Sequence, residues 1–314
     1  MRSTLTQNVV IGGSLLFSEL ILTVIIASVV KLLEPQIPIF LILSCRYIFC
    51  LPLLVIYGRM SLGSKFLKIA NIWILLLRTF CGFFGLVFWY LAIATIDISL
   101  ATVLLNTMPL FITILSALIA HEGIGARRLL AVILGFGGVL IILLPITADF
   151  NLLGAFYALL GALFAGLMFV FLRVLGKSDA SISTAIWYNA FGALASGTIY
   201  SISTDFQFVD HVTIEALTLW PVLIAIGVMA SFQQFFLAES HRYAEASALA
   251  PLHYLSIPIS VIFGMILFGD VITLKFVVGA LVIVASSCYI FFRERYQDTV
   301  SVCCTAINCS KEET

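Results

Sequence analysis

The chain has 314 residues, 62% of them hydrophobic and 10% charged, with a mean hydropathy of +1.17 and zero net charge. A water-soluble domain is about half apolar and about a quarter charged, so this composition excludes one. A pI of 6.9 gives no general attraction to nucleic acid, and no nucleic-acid motif, heptad repeat or low-complexity tract is present.

A bilayer core of about 30 Å takes about 20 apolar residues of helix. Ten such runs are predicted, in order Val10–Lys31, Pro38–Tyr57, Ile72–Ile96, Leu100–Ala120, Leu129–Pro145, Leu152–Leu175, Ile182–Ser203, Leu217–Glu239, Ala246–Phe268 and Leu274–Phe292. The first is too long for the apolar region of a secretory signal and contains Glu19, so it reads as a retained helix. None of the runs alternates in polarity as barrel strands do. The expected fold is an all-α membrane protein of ten transmembrane helices.

Short loops rich in Lys and Arg stay in the cytoplasm. With the N-terminus inside, twelve of the 16 basic residues fall on the inner side and only Lys31 and Lys275 on the outer, while Arg46 and Arg78 lie within spans. The outer segment Thr204–Glu215 has no Lys or Arg. Both termini are therefore expected in the cytoplasm. Cys45, Cys50, Cys81 and Cys288 fall in spans and Cys303, Cys304 and Cys309 in a tail exposed to reducing conditions, which argues against disulfides. Cys303 and Cys304 read as free thiols, with lipidation as the alternative.

Shifting the chain by 148 residues lays SLATVLLNTMPLFITILSALIAHE (Ser99–Glu122) over SALAPLHYLSIPISVIFGMILFGD (Ser247–Asp270). Both begin with Ser and small residues, carry a mid-span proline and end on an acid. Two units of five helices result, 1–148 and 149–295, followed by a hydrophilic tail, 296–314. An odd helix number inverts the second unit relative to the first. Inverted repeats are a device of transporters, whose substrate sits near the midplane where the halves meet.

The run FFLAESHRYAEASALAPLHYLSIPISVIFGMILFGD (Phe235–Asp270), followed by GALVIVASSCYIFFRERY (Gly279–Tyr296), resembles the second repeat of the drug/metabolite transporter superfamily, EamA type. The first-half run from Ala94 to Phe111, allowing for an insertion at Thr95–Ile96, with His121–Glu122 and GFGGVLII at Gly135–Ile142, is similar to the same module. The spacing Arg242-Tyr243-Ala244, Ala246-Ser247, Ala250-Pro251 and Tyr254 resembles the ten-helix branch, and Asp270 stands where Glu is more usual. The resemblance implies arginines in the second and third helices, matched by Arg46 and Arg78. It also implies a small organic cargo: amino acids, nucleotide-related compounds, riboflavin, carboxylates or S-adenosylmethionine.

Glu19, Arg46 and Arg78 each interrupt an apolar run. At 1.5 Å per residue, Arg46 lies roughly 12 Å from the outer end of its span, Arg78 roughly 12 Å and Glu19 roughly 14 Å from the inner ends of theirs. All three share a midplane layer, where a charge costs at least about 2.5–3.5 kcal/mol and by default marks a functional path. A Glu19 ion pair with Arg46 or Arg78 that only holds helices together is the competing reading. Even so, two arginines and one carboxylate leave one positive charge, which an anionic group of the substrate would balance through bidentate contacts. Glu19 is either a proton carrier or the partner of a cationic part of the substrate.

Further candidates for the substrate are Trp89, Asn106, Trp187, Asn189 and Tyr254, the aromatics for stacking or a cation–π contact and the amides for hydrogen bonds. Tyr90 and Tyr188 sit beside the tryptophans at similar depth. His253 is a candidate pH-sensitive ligand, Gln233 and Gln234 lie nearer the cytoplasmic end as gate candidates, and Pro109, Pro251 and Pro258 are candidate hinges or static kinks. No G-x-x-x-x-G-K-[ST] loop is present, so ATP is not the direct driver. Paired intramembrane Asp, a Ser/His pair and H-E-x-x-H are absent, which leaves an intramembrane enzyme as an unsupported alternative. The expectation is a monomeric carrier in the bacterial inner membrane without cofactor or metal. It works by alternating access. S-adenosylmethionine or a similar zwitterion is the first cargo, with an organic anion or amino acid as the alternative.

Overall fold

The computed structural model describes residues 9–120, 126–143, 151–175, 178–203, 214–243, 250–286 and 288–289. Glu122, the 204–213 segment, Ser247 and the tail with its three cysteines lie outside them, as do the side chains of Arg127, Arg128 and Pro251. The described helices are α1 (Val9–Leu33), α2 (Ile39–Leu62), α3 (Ile72–Thr95), α4 (Ile98–Leu105), α5 (Met108–Ala120), α6 (Ala126–Leu143), α7 (Leu152–Leu175), α8 (Ser181–Ser203), α9 (Ile214–Tyr243), α10 (Ser256–Phe263) and α11 (Leu274–Ser286). No strand occurs among the described residues.

Six apolar helical segments here have the length to cross a bilayer: Val10–Leu33, Ile39–Lys65, Ile72–Thr95, Ile98–Leu115, Leu152–Leu172 and Leu219–Leu237. Leu129–Leu143, Leu252–Phe268 and Leu274–Ser286 are shorter. Polarity is distributed inside out. Val10, Met60, Trp73, Leu194 and Leu274 are exposed, whereas Glu19, Arg46, Arg78 and Asn189 are buried. Such a surface suits hydrocarbon, where helices satisfy their own backbone groups. The chain is a multi-pass integral membrane protein.

The predicted fourth span is broken into α4 and α5. Pro109 has no N–H to donate, and its ring disfavours helical geometry at the preceding residue. The Asn106 amide fills part of the gap, donating to the Thr102 carbonyl at 2.7 Å. The ninth span is irregular too: a 3₁₀ turn over Ala250–Leu255, then α10, then a π turn over Gly264–Phe268. Gly269 ends it with φ of 69°, a left-handed conformation that glycine adopts freely.

α3 packs along α7, α1 along α9, and α2 along α8. Exchanging each first-half helix for its counterpart 148 residues on maps the α3–α7 pair onto α9–α1 and α2–α8 onto itself. Asn151, ahead of α7, donates to the Thr95 carbonyl at the end of α3 (3.3 Å), and Lys31 in the last turn of α1 donates to the Ile96 carbonyl (2.6 Å). α1 and α3 thus finish where α7 begins. At the opposite end, Ala70 N donates to Asp179 (2.5 Å) and the Trp187 indole N–H to the Leu67 carbonyl (3.1 Å). α2 therefore exits where α8 enters, antiparallel to its counterpart.

Candidate functional site

The layer of buried charge lies where α1, α2, α3, α8 and α9 meet. Glu19 on α1 is 6% exposed, Arg46 on α2 4% and Arg78 on α3 6%. No ion pair joins the carboxylate to either arginine. The amide of Gln233, from α9, stands between them. Its Nε2 donates to Glu19 Oε1 at 3.2 Å and to Thr23 Oγ1 at 2.7 Å, and its Oε1 accepts from Arg46 Nη2 at 3.4 Å. Thr23, one turn beyond Glu19, donates its hydroxyl to the same carboxylate oxygen at 2.8 Å. An amide suits this place because it is a donor toward the anion and an acceptor toward the cation.

Arg46 keeps most of its donors free. Its Nε and Nη1 are buried without a partner, and Arg78 Nε is in the same condition. Buried polar groups in folded proteins nearly always find a partner, so orphaned guanidinium nitrogens mark a place for a ligand or water. Arg78 Nη1 donates to the Thr184 carbonyl on α8 at 3.1 Å.

Two tyrosines separate the arginines. Arg46 Cζ lies 5.3 Å from the Tyr47 ring centroid, and Arg78 Cζ 5.2 Å from that of Tyr188. The two rings meet edge to face at 5.6 Å, and their hydroxyls are 3.0 Å apart, with Tyr188 also donating to the Gly82 carbonyl at 3.3 Å. Each guanidinium thus has an aromatic face, a contact that gains strength where water is scarce. Tyr90 on α3 completes the group within electrostatic reach of Arg46, its hydroxyl buried and unpartnered.

The other sequence candidates divide. Gln233 lies deeper than expected: α9 runs on to Tyr243, which sets Gln233 roughly 15 Å from the helix end, within the layer of the charges rather than at the mouth. Asn189 is fully buried on α8, donating to the Ala185 carbonyl at 2.8 Å with its Oδ1 unpartnered. Trp89 belongs to the buried apolar core. Trp187 departs from the expectation. One residue from buried Tyr188, and so turned about 100° around the helix, it is 41% exposed with its indole held at the α2–α3 connection. Asn106 binds Ser256 Oγ at 3.1 Å, joining the two broken spans. His253 and Tyr254 are half-buried in the 3₁₀ turn, and the His253 carbonyl accepts from Ser256. Tyr254 and Pro258 line an apolar groove of about 420 Å³ against α11. Pro109 opens α5 beside the break.

Thr23, Tyr47 and Thr184 were not singled out in the sequence. Thr23 had a local signal, four residues after an intramembrane acid and so on the same helix face. Tyr47 and Thr184 had none.

Arginines and a carboxylate held between helices, inside an apolar exterior and with donors unfilled, define a membrane transporter for a small molecule. The EamA-like transporter family matches twice, over residues 10–144 and 152–292. The chain belongs to that family. It is 27% identical over 78% of its length to an S-adenosylmethionine uptake transporter of Rickettsia prowazekii, covering 79% of that protein. It is 32% identical over 68% of its length to a riboflavin transporter of Vibrio cholerae, covering 70% of it. A pseudopaline exporter of Pseudomonas aeruginosa is 27% identical over 74% of this chain and 80% of its own. One solved crystal structure superposes over 91% of this chain and 98% of its own, with a TM-score of 0.60 at 13% identity, a likeness of fold.

Proposed function

We propose that the protein is a secondary transporter that moves a small zwitterionic metabolite by alternating access, with S-adenosylmethionine as the first cargo to test. The observation that carries this is Arg46: buried in the membrane, held by one long hydrogen bond to Gln233, with two further nitrogens unfilled. An anionic group, here a carboxylate, takes one of them together with the second hydrogen of Nη2 in the fork geometry of a guanidinium. Glu19 takes the cationic end, and the tyrosines between the arginines offer planar faces to a ring. The similarity to S-adenosylmethionine uptake transporters supports this cargo; a simpler organic anion fits the arginines but brings no cation to Glu19, and an amino acid brings both charges but no planar ring for the tyrosines.

In the same reading the two halves are inverted five-helix repeats, 1–148 and 149–295, making ten spans with both termini in the cytoplasm. The opposed directions of α1 and α7, and of α2 and α8, support it, as does the excess of Lys and Arg on one side. The site residues are Glu19, Arg46 and Arg78, with Gln233 as their bridge. Pro109 and Pro258, in the two broken spans, are the hinges of alternating access.

The test is thermal stabilisation of the purified protein by S-adenosylmethionine, S-adenosylhomocysteine, riboflavin, amino acids, and di- and tricarboxylates, run beside Arg46→Ala and Arg78→Ala. A ligand that stabilises the parent and neither variant identifies the cargo. Equal stabilisation of all three proteins would show that the arginines are structural. Uptake into liposomes with and without a proton gradient then reads Glu19. A Glu19→Gln variant that exchanges substrate normally but ignores the gradient makes Glu19 a proton carrier rather than a ligand for the cationic end.

A further inference from the structure

Tyr90 on α3 carries the one tyrosine hydroxyl among the described residues that is buried with no hydrogen-bond partner. Its side chain is 1% exposed. A buried hydroxyl left unpaired is destabilising, and phenylalanine would fill the same space without that cost. The neighbouring tyrosines are differently placed: Tyr47 and Tyr188 use their hydroxyls on each other and on the Gly82 carbonyl. They build the wall between the arginines, and Tyr90 contributes no bond to it.

What Tyr90 does have nearby is Arg46. The two side chains lie within electrostatic reach of each other. Arg46 brings two buried, unpartnered nitrogens of its own, Nε and Nη1. Three unfilled donors therefore stand in one buried place. Guanidinium N–H groups accept nothing, so the set is completed by an acceptor from outside the chain. A carboxylate has two oxygens and about four lone-pair sites, enough for the guanidinium fork and one hydroxyl together.

We propose that Tyr90 is a ligand-binding residue, its hydroxyl donating to the carboxylate that Arg46 grips. The proposal rests on the reading of Arg46 as the anion-binding arginine and adds what reads the anion. The guanidinium attracts any negative charge. A hydroxyl fixed beside it selects an acceptor whose second oxygen lies within reach, so a carboxylate is preferred to the same molecule without one.

The experiment uses the full-length protein purified in detergent, as the parent, Tyr90→Phe, Tyr47→Phe and Arg46→Ala. Each is titrated with S-adenosylmethionine and with its decarboxylated analogue, and melted without ligand. Hydrogen bonds to charged groups are the stronger ones. Tyr90→Phe is expected to weaken S-adenosylmethionine binding about tenfold or more and to leave binding of the decarboxylated analogue unchanged. Its melting temperature without ligand is expected to equal or exceed the parent's, since an orphaned hydroxyl has been removed; a merely structural tyrosine would not behave so. Tyr47→Phe is expected to do the reverse, lowering the unliganded melting temperature while preserving the preference for the carboxylate.

If Tyr90→Phe binds S-adenosylmethionine as tightly as the parent while Arg46→Ala does not, Tyr90 is no ligand and the arginine site stands. If the parent binds neither S-adenosylmethionine nor any amino acid or carboxylate of the wider panel, the reading of Arg46 fails and this inference fails with it.

Discussion

Ser99 donates its hydroxyl to Asp270 at 2.8 Å and its backbone N–H to the same oxygen at 3.3 Å, across 171 residues of sequence. Ser99 opens α4, Asp270 follows the π turn after α10, and both broken spans are thereby tied at the end where α1 finishes. The carboxylate is 9% exposed, so each bond stands in for lost water. Ser99→Ala removes the hydroxyl donor and is expected to destabilise the protein by about 1–3 kcal/mol. A melting temperature unchanged from the parent's would mean that the contact at this end is not one that stabilises the fold.

Gln233 holds Arg46 and Glu19 apart with a single neutral amide. Gln233→Glu would give Arg46 a carboxylate of its own, satisfying the guanidinium from within and cancelling the positive excess of the site. The new carboxylate also loses the Nε2 donor to Glu19 and stands against it, so the expected outcome is an unliganded protein no more stable than the parent whose stabilisation by anionic ligands is abolished. Gln233→Ala leaves Arg46 with no partner, and it should lower the unliganded melting temperature. Retained ligand binding by Gln233→Glu would show that the anion sits elsewhere.

Asp97, in the connection between α3 and α4, gives a pH dependence of defined sign. Burial first, and the like charge of Asp270 second, push its carboxyl above the ordinary range, while Lys31 opposes them. A raised native value means that the folded state holds the proton longer than the unfolded one. The group's contribution is therefore full below the unfolded value and lost as pH rises through the native value. Asp97→Asn removes that loss. Its melting temperature minus the parent's should grow in the variant's favour as pH rises through the interval above the free carboxylate value of about 4. A difference that stays flat across this interval would contradict the assignment.

Six of the ten predicted spans and the charged layer were legible because hydrocarbon enforces them. A run of about 20 apolar residues has few other uses, and Glu19, Arg46 and Arg78 stand out inside such runs. What the sequence hid is pairing between distant segments. Gln233 touches Glu19 and Arg46 only because α9 lies against both α1 and α2, across 214 and 187 residues. Tyr47 reads as one more packing aromatic until Tyr188 is seen opposite it. Trp187 and Trp89 look equivalent in the sequence, yet Trp187 is 41% exposed and Trp89 is buried. Prolines announced the two broken spans. The place of the first break also reflects the Asn106 side chain reaching back to Thr102.

The tyrosine wall depends on a missing side chain. A Cβ on Gly192 would stand 2.6 Å from the Tyr47 ring, closer than real contacts allow, and a ring cannot fold aside as a flexible chain end does. Gly197, five residues on in the same helix, would meet nothing nearer than Ser44 Oγ at 3.8 Å. Alanine in a helix interior is normally favoured over glycine by about 0.5–1 kcal/mol, so Gly197→Ala should be neutral or stabilising. Gly192→Ala carries the same propensity gain but displaces Tyr47, at the 1–3 kcal/mol typical of overpacking a filled core (about the same range expected here). Because Tyr47 covers Arg46 and bonds Tyr188, the displacement should reach the site: ligand binding falls in Gly192→Ala and holds in Gly197→Ala. Comparable melting temperatures and ligand affinities in the two variants would show that the Tyr47–Tyr188 contact is not what positions Arg46.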